Sequence, residues 1–127
     1  MSGEHPLLRL EELLLVAIGG FVGANLRFFV GGFLPGLRGT FVANVVGSFL
    51  LGFLLYEALY TSMLAEESVV VFGTGFLSSF TTYSTFALES VQAEPLVGLL
   101  NVAASYAAGF LAVLLGRYVA SSIGGEE

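Results

Sequence analysis

The chain lacks several residue types on which soluble proteins and enzymes rely. It has no cysteine, tryptophan, lysine or aspartate, and His5 is its only histidine. Without cysteine, disulfides and thiolate metal sites are excluded, and the redox compartment cannot be inferred. Only 11% of the 127 residues are charged, whereas 56% are hydrophobic. A water-soluble domain of this size could not cover so much apolar surface, so the sequence predicts an integral membrane protein.

The few charged residues are mostly acidic. Ten glutamates against four arginines give a net charge of -6. At this net charge, binding to nucleic acid or to acidic lipid is not expected. The sequence contains no Ser/His pairing, metal-ligand cluster or phosphate-binding loop, and His5 lies in the polar N-terminal tail. We therefore do not expect an enzyme.

Four unbroken apolar stretches account for a mean hydropathy of +0.90. Each is close to the ~20 residues that a helix needs to cross a bilayer. They do not alternate as the strands of an outer-membrane barrel do. The links are too short for a soluble domain, and the first stretch lacks a signal-peptide cleavage pattern. The predicted fold is an all-α membrane protein, a single domain over residues 1–127, with spans at about 13–34, 40–59, 69–88 and 96–119.

The distribution of the four arginines does not indicate which way up the chain inserts in the membrane. Arg9 and Arg117 fall on one side of the predicted membrane, and Arg38, with Arg27 in snorkelling reach, falls on the other. One interpretation is that the chain inserts either way up, which suits an antiparallel pair. The other is that counts this small predict nothing.

The third span carries hydroxyl groups where a plain anchor would carry leucine. Inside hydrocarbon such groups are tolerated only against other protein or along a water-filled path. In a straight helix the aromatic and polar residues would form two nearly opposite stripes. These stripes are Phe76, Phe80 and Tyr83 on one side, and Ser78, Thr82, Thr85 and Glu89 on the other.

The second span has a polar stripe of four-residue spacing: Thr40, Asn44, Ser48 and Gly52. The Asn44 amide can offer two donors to an anion, or it can hydrogen-bond a neighbouring helix. Small residues in the fourth span predict close packing within the bundle or at a dimer interface. They are Gly98, Asn101, Ser105, Gly109, Ala112 and Gly116, and Gly19 and Gly23 form a similar pair in the first span.

Two charged residues near span ends have two interpretations each. Arg27 is either a snorkelling anchor or an attractor of anions at a pore mouth. Glu89 is either a water-exposed helix end or part of the hydroxyl track. The central lining, with hydroxyls, one amide and aromatic rings but no basic residue, favours weak binding of a small hydrated anion.

Four motifs in order, GGFVGANLRF, GTFVANVVGSFLLG, TGFLSSFTTYSTFALES and NVAASYAAG, resemble the Fluc (CrcB) family of bacterial fluoride channels. Together they cover nearly the whole chain. The resemblance implies export of toxic fluoride down its gradient, through an antiparallel, dual-topology homodimer with two pores. It also implies multi-pass insertion in lipid of a bacterial or archaeal inner membrane.

The resemblance also implies roles for individual residues. Asn44 would be the pore asparagine, and Tyr83 and Phe86 would form an aromatic box. A sodium ion at the dimer centre would be held by the backbone carbonyls of Ser78 and Thr81, where the third helix breaks near its middle. The polar route would continue along three residues of the third span and end at one of the second: Ser84, Thr85, Glu89 and Thr40.

The chain departs from the family at two places. Ser78 and Ser79 stand where a Gly-Gly pair is usual, and serine enters a helix break less readily than glycine. The proposed sodium ligands are main-chain oxygens, so the site can survive this change. Tyr83 stands where phenylalanine is commoner, and its ring edge is kept.

Two other functions are compatible with four spans. A small multidrug exporter would need a carboxylate deep in the first span and usually tryptophan, and this chain has neither. A non-transporting assembly subunit would use its polar stripes only to join helices.

Overall fold

The computed structural model describes residues 5–124, and every regular element in that range is helical. Helix α1 is Pro6–Phe33, and α2 is Leu37–Tyr56, which continues into a π-helical turn at Glu57–Thr61. Helix α3 comprises residues 66–80, helix α4 is Ser84–Gln92, and α5 is Pro95–Gly124. Within α3, Glu66–Val69 and Ser78–Phe80 are α-helical, whereas Val70–Leu77 is π-helical.

Three helical stretches within residues 5–124 are long and apolar enough to cross a membrane: Pro6–Phe33, Leu37–Thr61 and Pro95–Gly124. The remaining pass consists of α3 and α4, separated at residues 81–83. Thr81 leaves the helix with φ -89° and ψ 165°. The predictions of an all-helical fold with four helical segments and of a broken third helix are therefore confirmed, whereas four crossings of a membrane stay a prediction. The limits of the spans in a bilayer stay a prediction.

Local sequence explains where α1 begins and how it connects to α2. Pro6 occupies the first turn of α1, where its missing N–H costs no hydrogen bond, and His5 Nδ1 accepts from the Leu7 N–H at 3.1 Å. After α1, Gly36 adopts a φ of 73°, which a residue with a side chain rarely takes. This tight link reverses the chain and makes α1 and α2 antiparallel neighbours.

The helices pack closely through glycine. A Cβ on Gly19 would collide with the Val71 carbonyl oxygen, and one on Gly23 with the Phe76 carbonyl oxygen, so α1 lies directly on α3. Gly116 lies in the same way against Phe49, which brings α5 onto α2. The small-residue faces predicted from sequence are confirmed as packing faces within one subunit.

The contacts also fix the direction of the helices. Gly52 meets Val113 and Gly124 meets Thr61, so α2 and α5 run parallel to each other. One end of the bundle, the terminal end, therefore holds residue 5, the link at residues 62–65 and residue 124. The opposite end holds the links at residues 34–36 and 93–94. Large apolar side chains point outward along α1 and α5, where Phe21 is 71% and Phe110 69% exposed, so the outer surface suits hydrocarbon or a partner subunit.

Candidate functional site

The break between α3 and α4 is held in place by α2. The Asn44 amide nitrogen donates to the Thr82 carbonyl oxygen at 2.8 Å, and the Thr82 N–H donates to Asn44 Oδ1, also at 2.8 Å. The Thr82 N–H requires an acceptor, which fixes the orientation of the amide. Because the amide is planar, the second N–H of Asn44 points away from Thr82. Asn44 therefore joins two helices and keeps one donor for another partner.

The same hydrogen bonds leave main-chain carbonyls open at the break. In a continuous helix the Ser78 carbonyl would accept from the Thr82 N–H, but that N–H donates to Asn44. The Thr81 carbonyl would accept from the Thr85 N–H, but that N–H donates to Thr82 Oγ1 at 3.2 Å. Both carbonyls have lost their i+4 donors. Hard oxygen atoms of this kind suit an alkali or alkaline-earth cation.

Two hydroxyls stabilise the last turn before the break. Ser78 Oγ donates to the Thr74 carbonyl oxygen and lies 3.4 Å from that of Gly75. Thr81 Oγ1 donates to the Leu77 carbonyl oxygen at 2.9 Å. The Leu77 carbonyl also accepts from the Thr81 N–H at 3.1 Å, so the hydroxyls add bonds to the carbonyls of this last turn.

Glycine allows the break to approach α2. A Cβ on Gly47 would collide with the Thr81 methyl group. Gly47 lies one turn after Asn44. Both residues therefore contact the same short segment, residues 81–82. A larger residue at position 47 would push the break away from α2.

Two clefts meet at Asn44. The break cleft, about 400 Å³, is lined by Asn44, Gly47, Ser48, Leu51, Gly73, Leu77, Ser78, Thr81, Thr82 and Tyr83. The aromatic cleft, about 330 Å³, is lined by Asn44, Ser48, Tyr83, Phe86, Ser105, Tyr106, Gly109, Phe110 and Val113. Neither lining includes an ionised side chain. A path between them would pass the Asn44 amide and the Tyr83 ring.

Aromatic rings surround the second cleft. The ring centroids of Tyr83 and Phe86 are 5.8 Å apart, and Phe86 and Tyr106 meet edge to face at 6.0 Å. Phe86 is buried, whereas Tyr83 is 71% exposed on the subunit. The aromatic stripe described for a straight helix is interrupted, because the helix breaks at residues 81–83. Phe76 and Phe80 stack with each other, on the other side of the break from Tyr83.

The structure brings some of the predicted site residues together and leaves others apart. Asn44, Tyr83 and Phe86 share the aromatic cleft, and Ser78 and Thr81 share the break cleft with Asn44. Four others lie outside both linings: Thr40, Ser84, Thr85 and Glu89. Thr40 is buried one turn before Asn44, Ser84 is exposed, and Thr85 and Glu89 lie half-buried one turn apart on α4.

Three ionisable side chains have polar atoms enclosed in protein. Arg27 Nε, Glu57 Oε1 and Glu89 Oε1 are buried, and none of these atoms has a hydrogen-bond partner within residues 5–124. Arg27 lies about two turns before the end of α1 at the opposite end of the bundle. Its position is compatible with both interpretations made from the sequence.

Five residues of α5 line the aromatic cleft, none of them predicted as a site residue, and two of the five, Ser105 and Tyr106, carry hydroxyls. Ser105 was assigned only to a packing face, and Tyr106 was not identified. Ser105 Oγ is buried and has no partner within the described part of the chain. Ser48 differs, because its hydroxyl donates to the Asn44 carbonyl oxygen at 2.9 Å. Asn101, Ser105 and Gly109 follow one another at four-residue spacing, and a polar face on α5 could have been predicted from this spacing.

The aromatic cleft therefore offers neutral donors at several points. The second N–H of Asn44 is available, and the Ser105 O–H, whose oxygen is buried beside the cleft, has no partner among the described residues. The edges of aromatic rings carry partial positive charge. Such groups can replace water around a small anion without a fixed cation that would hold it tightly.

Comparison with known proteins places the chain in a family. The family model described as CrcB-like protein, Camphor Resistance (CrcB), matches residues 14–117. A Haloarcula marismortui protein named Fluoride-specific ion channel FluC 1 is 55% identical over 119 residues, covering 94% of this chain and 93% of that protein. A Halobacterium salinarum protein named Fluoride-specific ion channel FluC 2 is 48% identical over 114 residues, covering 89% of each. A Natronomonas pharaonis protein named Fluoride-specific ion channel FluC 1 is 50% identical over 107 residues, covering 83% of this chain and 90% of that protein. The chain belongs to the CrcB family.

Proposed function

We propose that this chain forms a fluoride-selective channel that lets fluoride leave the cell down its electrochemical gradient and so lowers its toxicity in the cytoplasm. The observation that carries the proposal is the aromatic cleft, which Asn44, Ser105 and the aromatic residues Tyr83, Phe86 and Tyr106 line together without an ionised side chain. The names of the relatives agree with it. The protein is a membrane channel rather than an enzyme.

Fluoride is small and strongly hydrated, so its passage requires donors that compensate for lost water. Asn44 supplies an N–H whose direction is fixed by the two bonds to Thr82. Preorganisation of this kind lowers the cost of reorienting a donor when the ion arrives. Ser105 supplies a hydroxyl proton that no described residue accepts. Ser84 and Thr85 continue the hydroxyl route on α4, with Thr40 and Glu89 nearer the opposite end.

The aromatic residues contribute weak attraction. The rings of Tyr83, Phe86 and Tyr106 can turn their edges, the positive part of the quadrupole, toward an anion. Conduction requires that each site binds strongly enough to admit the ion and weakly enough to release it. A lining without ionised groups meets both requirements. Arg27 would act outside this lining, as an anchor or by attracting anions to the mouth.

We also propose a structural sodium ion bound by the main-chain carbonyls of Ser78 and Thr81. The support is that both carbonyls have lost their helical donors. When bound, sodium would neutralise the partial negative charge of carbonyl dipoles crowded at the break. The Ser78 side chain is not required as a ligand, because its hydroxyl donates to the Thr74 carbonyl.

The proposed assembly is an antiparallel homodimer in a bacterial or archaeal inner membrane. The break cleft and the Tyr83 ring are open on one subunit, and a second copy would cover them. The balanced arginines support insertion in both orientations. Because the chain has no cysteine, a single Ser122→Cys label at the exposed end of α5 can test this. Dual insertion predicts that an impermeant thiol reagent labels about half of the reconstituted subunits from outside, and uniform orientation predicts all or none.

The channel proposal is tested by ion release from liposomes that contain the purified protein. A fluoride electrode should register rapid release, whereas a chloride electrode in matched vesicles should register retention. Vesicles that retain fluoride although the protein is folded would overturn the proposal. Proton-driven efflux of an organic cation without fluoride release would favour a multidrug exporter, and specific association with a larger complex without any flux would favour an assembly subunit.

A further inference from the structure

A second kind of polar cleft lies at the terminal end, away from the proposed ion route. It has a volume of about 260 Å³ and is lined by Tyr56, Leu114, Arg117, Tyr118 and Ser121. Tyr56 is the last residue of α2, and the other four residues lie on α5. The cleft is therefore built by the end of the closely packed parallel pair of helices.

The donors in this cleft suit an anion. Arg117 contributes a guanidinium, which can bind a phosphate through two parallel N–H donors. Tyr56 and Tyr118 contribute phenolic hydroxyls. Ser121 contributes less, because its hydroxyl already donates to the Tyr118 carbonyl oxygen at 2.8 Å. Within residues 5–124, no carboxylate lines this cleft, although the chain has ten glutamates.

Most carboxylates described at this end of the bundle lie away from the cleft. A separate cleft between the starts of α1 and α3 is lined by Glu11, Glu12, Glu66 and Glu67. The net charge of -6 argues against membrane attachment through a broad basic surface. It does not argue against a single basic pocket, because the four carboxylates that line that second cleft lie on the other pair of helices. Glu57, which follows Tyr56, is buried outside the lining of the basic cleft, and its Oε2 accepts from the Leu64 N–H at 2.6 Å.

The position of Arg117 favours a lipid over a free anion. It lies two residues before the end of the predicted fourth span, where a head group would be. Leu114 lies one turn deeper, about 4–5 Å along the helix, on the hydrocarbon side. Basic pockets between transmembrane helices are known to hold anionic head groups, and tyrosine is enriched at this depth. We propose that this cleft binds the phosphodiester head group of an anionic lipid, with its acyl chain directed past Leu114.

Native mass spectrometry of the purified full chain tests this proposal. The protein is offered an equal mixture of phosphatidylglycerol and phosphatidylcholine with identical acyl chains. We expect about fivefold preferential retention of phosphatidylglycerol, the effect of one arginine near a head group. Arg117→Gln should remove the preference. Arg9→Gln is the matched control, because it deletes the same charge at the same end from an exposed position outside the cleft.

Each other outcome has a definite meaning. Equal retention of the two lipids by the unmodified chain, or an equal loss in Arg9→Gln and Arg117→Gln, would overturn the proposal. Displacement of phosphatidylglycerol by inorganic phosphate at the same concentration would show a site for the free ion instead. If Arg117→Gln does not fold, Tyr118→Phe decides: a reduced preference supports the site, and an unchanged preference contradicts it.

Discussion

The side chain of Asn44 and the main chain of Thr82 exchange two hydrogen bonds of 2.8 Å across 38 positions of sequence. One amide thus fixes the backbone of a helix break and still presents an N–H to the neighbouring clefts. The sequence leaves two roles open for Asn44, hydrogen bonding to a neighbouring helix and donation to an anion. This geometry permits both.

Asn44→Ala should destabilise the protein by about 2 kcal/mol, because it leaves the half-buried Thr82 N–H and carbonyl without partners. Thermal unfolding in detergent measures the change. Asn25→Ala is the matched control: Asn25 also donates to a main-chain oxygen, that of Phe21, but within α1 and at the surface. Its replacement should have little effect, and an equal loss in both variants would contradict the clamp.

Ser78→Gly should lower stability by about 1 kcal/mol, because it removes a hydroxyl that bonds carbonyls of the π-helical segment and adds backbone freedom. Ser79→Gly adds the freedom alone and should cost less. Fluoride release should persist in both, because the proposed sodium ligands are main-chain oxygens. Complete loss of flux in folded Ser78→Gly protein would show that the hydroxyl itself is required.

Gly47→Ala should destabilise by about 1–3 kcal/mol, because the new methyl group overlaps that of Thr81. The double variant Gly47→Ala, Thr81→Ser should recover much of this loss, since serine lacks the methyl group. Gly31→Ala is a suitable control, because nothing lies within 4 Å of a Cβ at that position. A double variant no more stable than Gly47→Ala alone would mean that the two side chains do not meet.

Ser105→Ala should separate stability from conduction. Its buried hydroxyl has no partner within residues 5–124, so its removal should leave the unfolding temperature unchanged or higher. Fluoride release should fall roughly tenfold if the hydroxyl contributes one hydrogen bond to the passing ion. Ser122→Ala, at an exposed position, should change neither property. A stable Ser105→Ala protein with full flux would exclude Ser105 from the route.

The helices and their packing faces were predictable because both depend on regular spacing. Apolar runs of sufficient length predicted the passes, and small residues such as Gly19, Gly23 and Gly116 predicted where helices touch. The break could not be located from spacing alone, because no proline or glycine marks residues 81–83. Resemblance to a family supplied its position, near the carbonyls of Ser78 and Thr81.

The site was only partly predictable, because its decisive contacts join distant positions through the main chain. The sequence identifies Asn44 as an amide inside a span, but its partner is the main chain of Thr82. Main-chain groups are the same at every residue, so the sequence does not indicate which of them the amide meets. Tyr106 was missed because an aromatic residue in an apolar helix does not reveal which neighbour it meets. The aromatic stripe through Phe76, Phe80 and Tyr83 depended on a straight helix, and the break at residues 81–83 interrupts it.

The most direct test of the proposed ion route compares fluoride release from liposomes holding wild-type protein, Asn44→Asp or Ser122→Asp. The account predicts release with chloride retained for wild type and for Ser122→Asp, whose new charge is exposed beyond the predicted fourth span. It predicts no release for Asn44→Asp, because a carboxylate at the junction of the two clefts repels the anion. Wild-type release through folded Asn44→Asp protein would contradict the route, and a wild-type protein that retains fluoride would contradict the function itself.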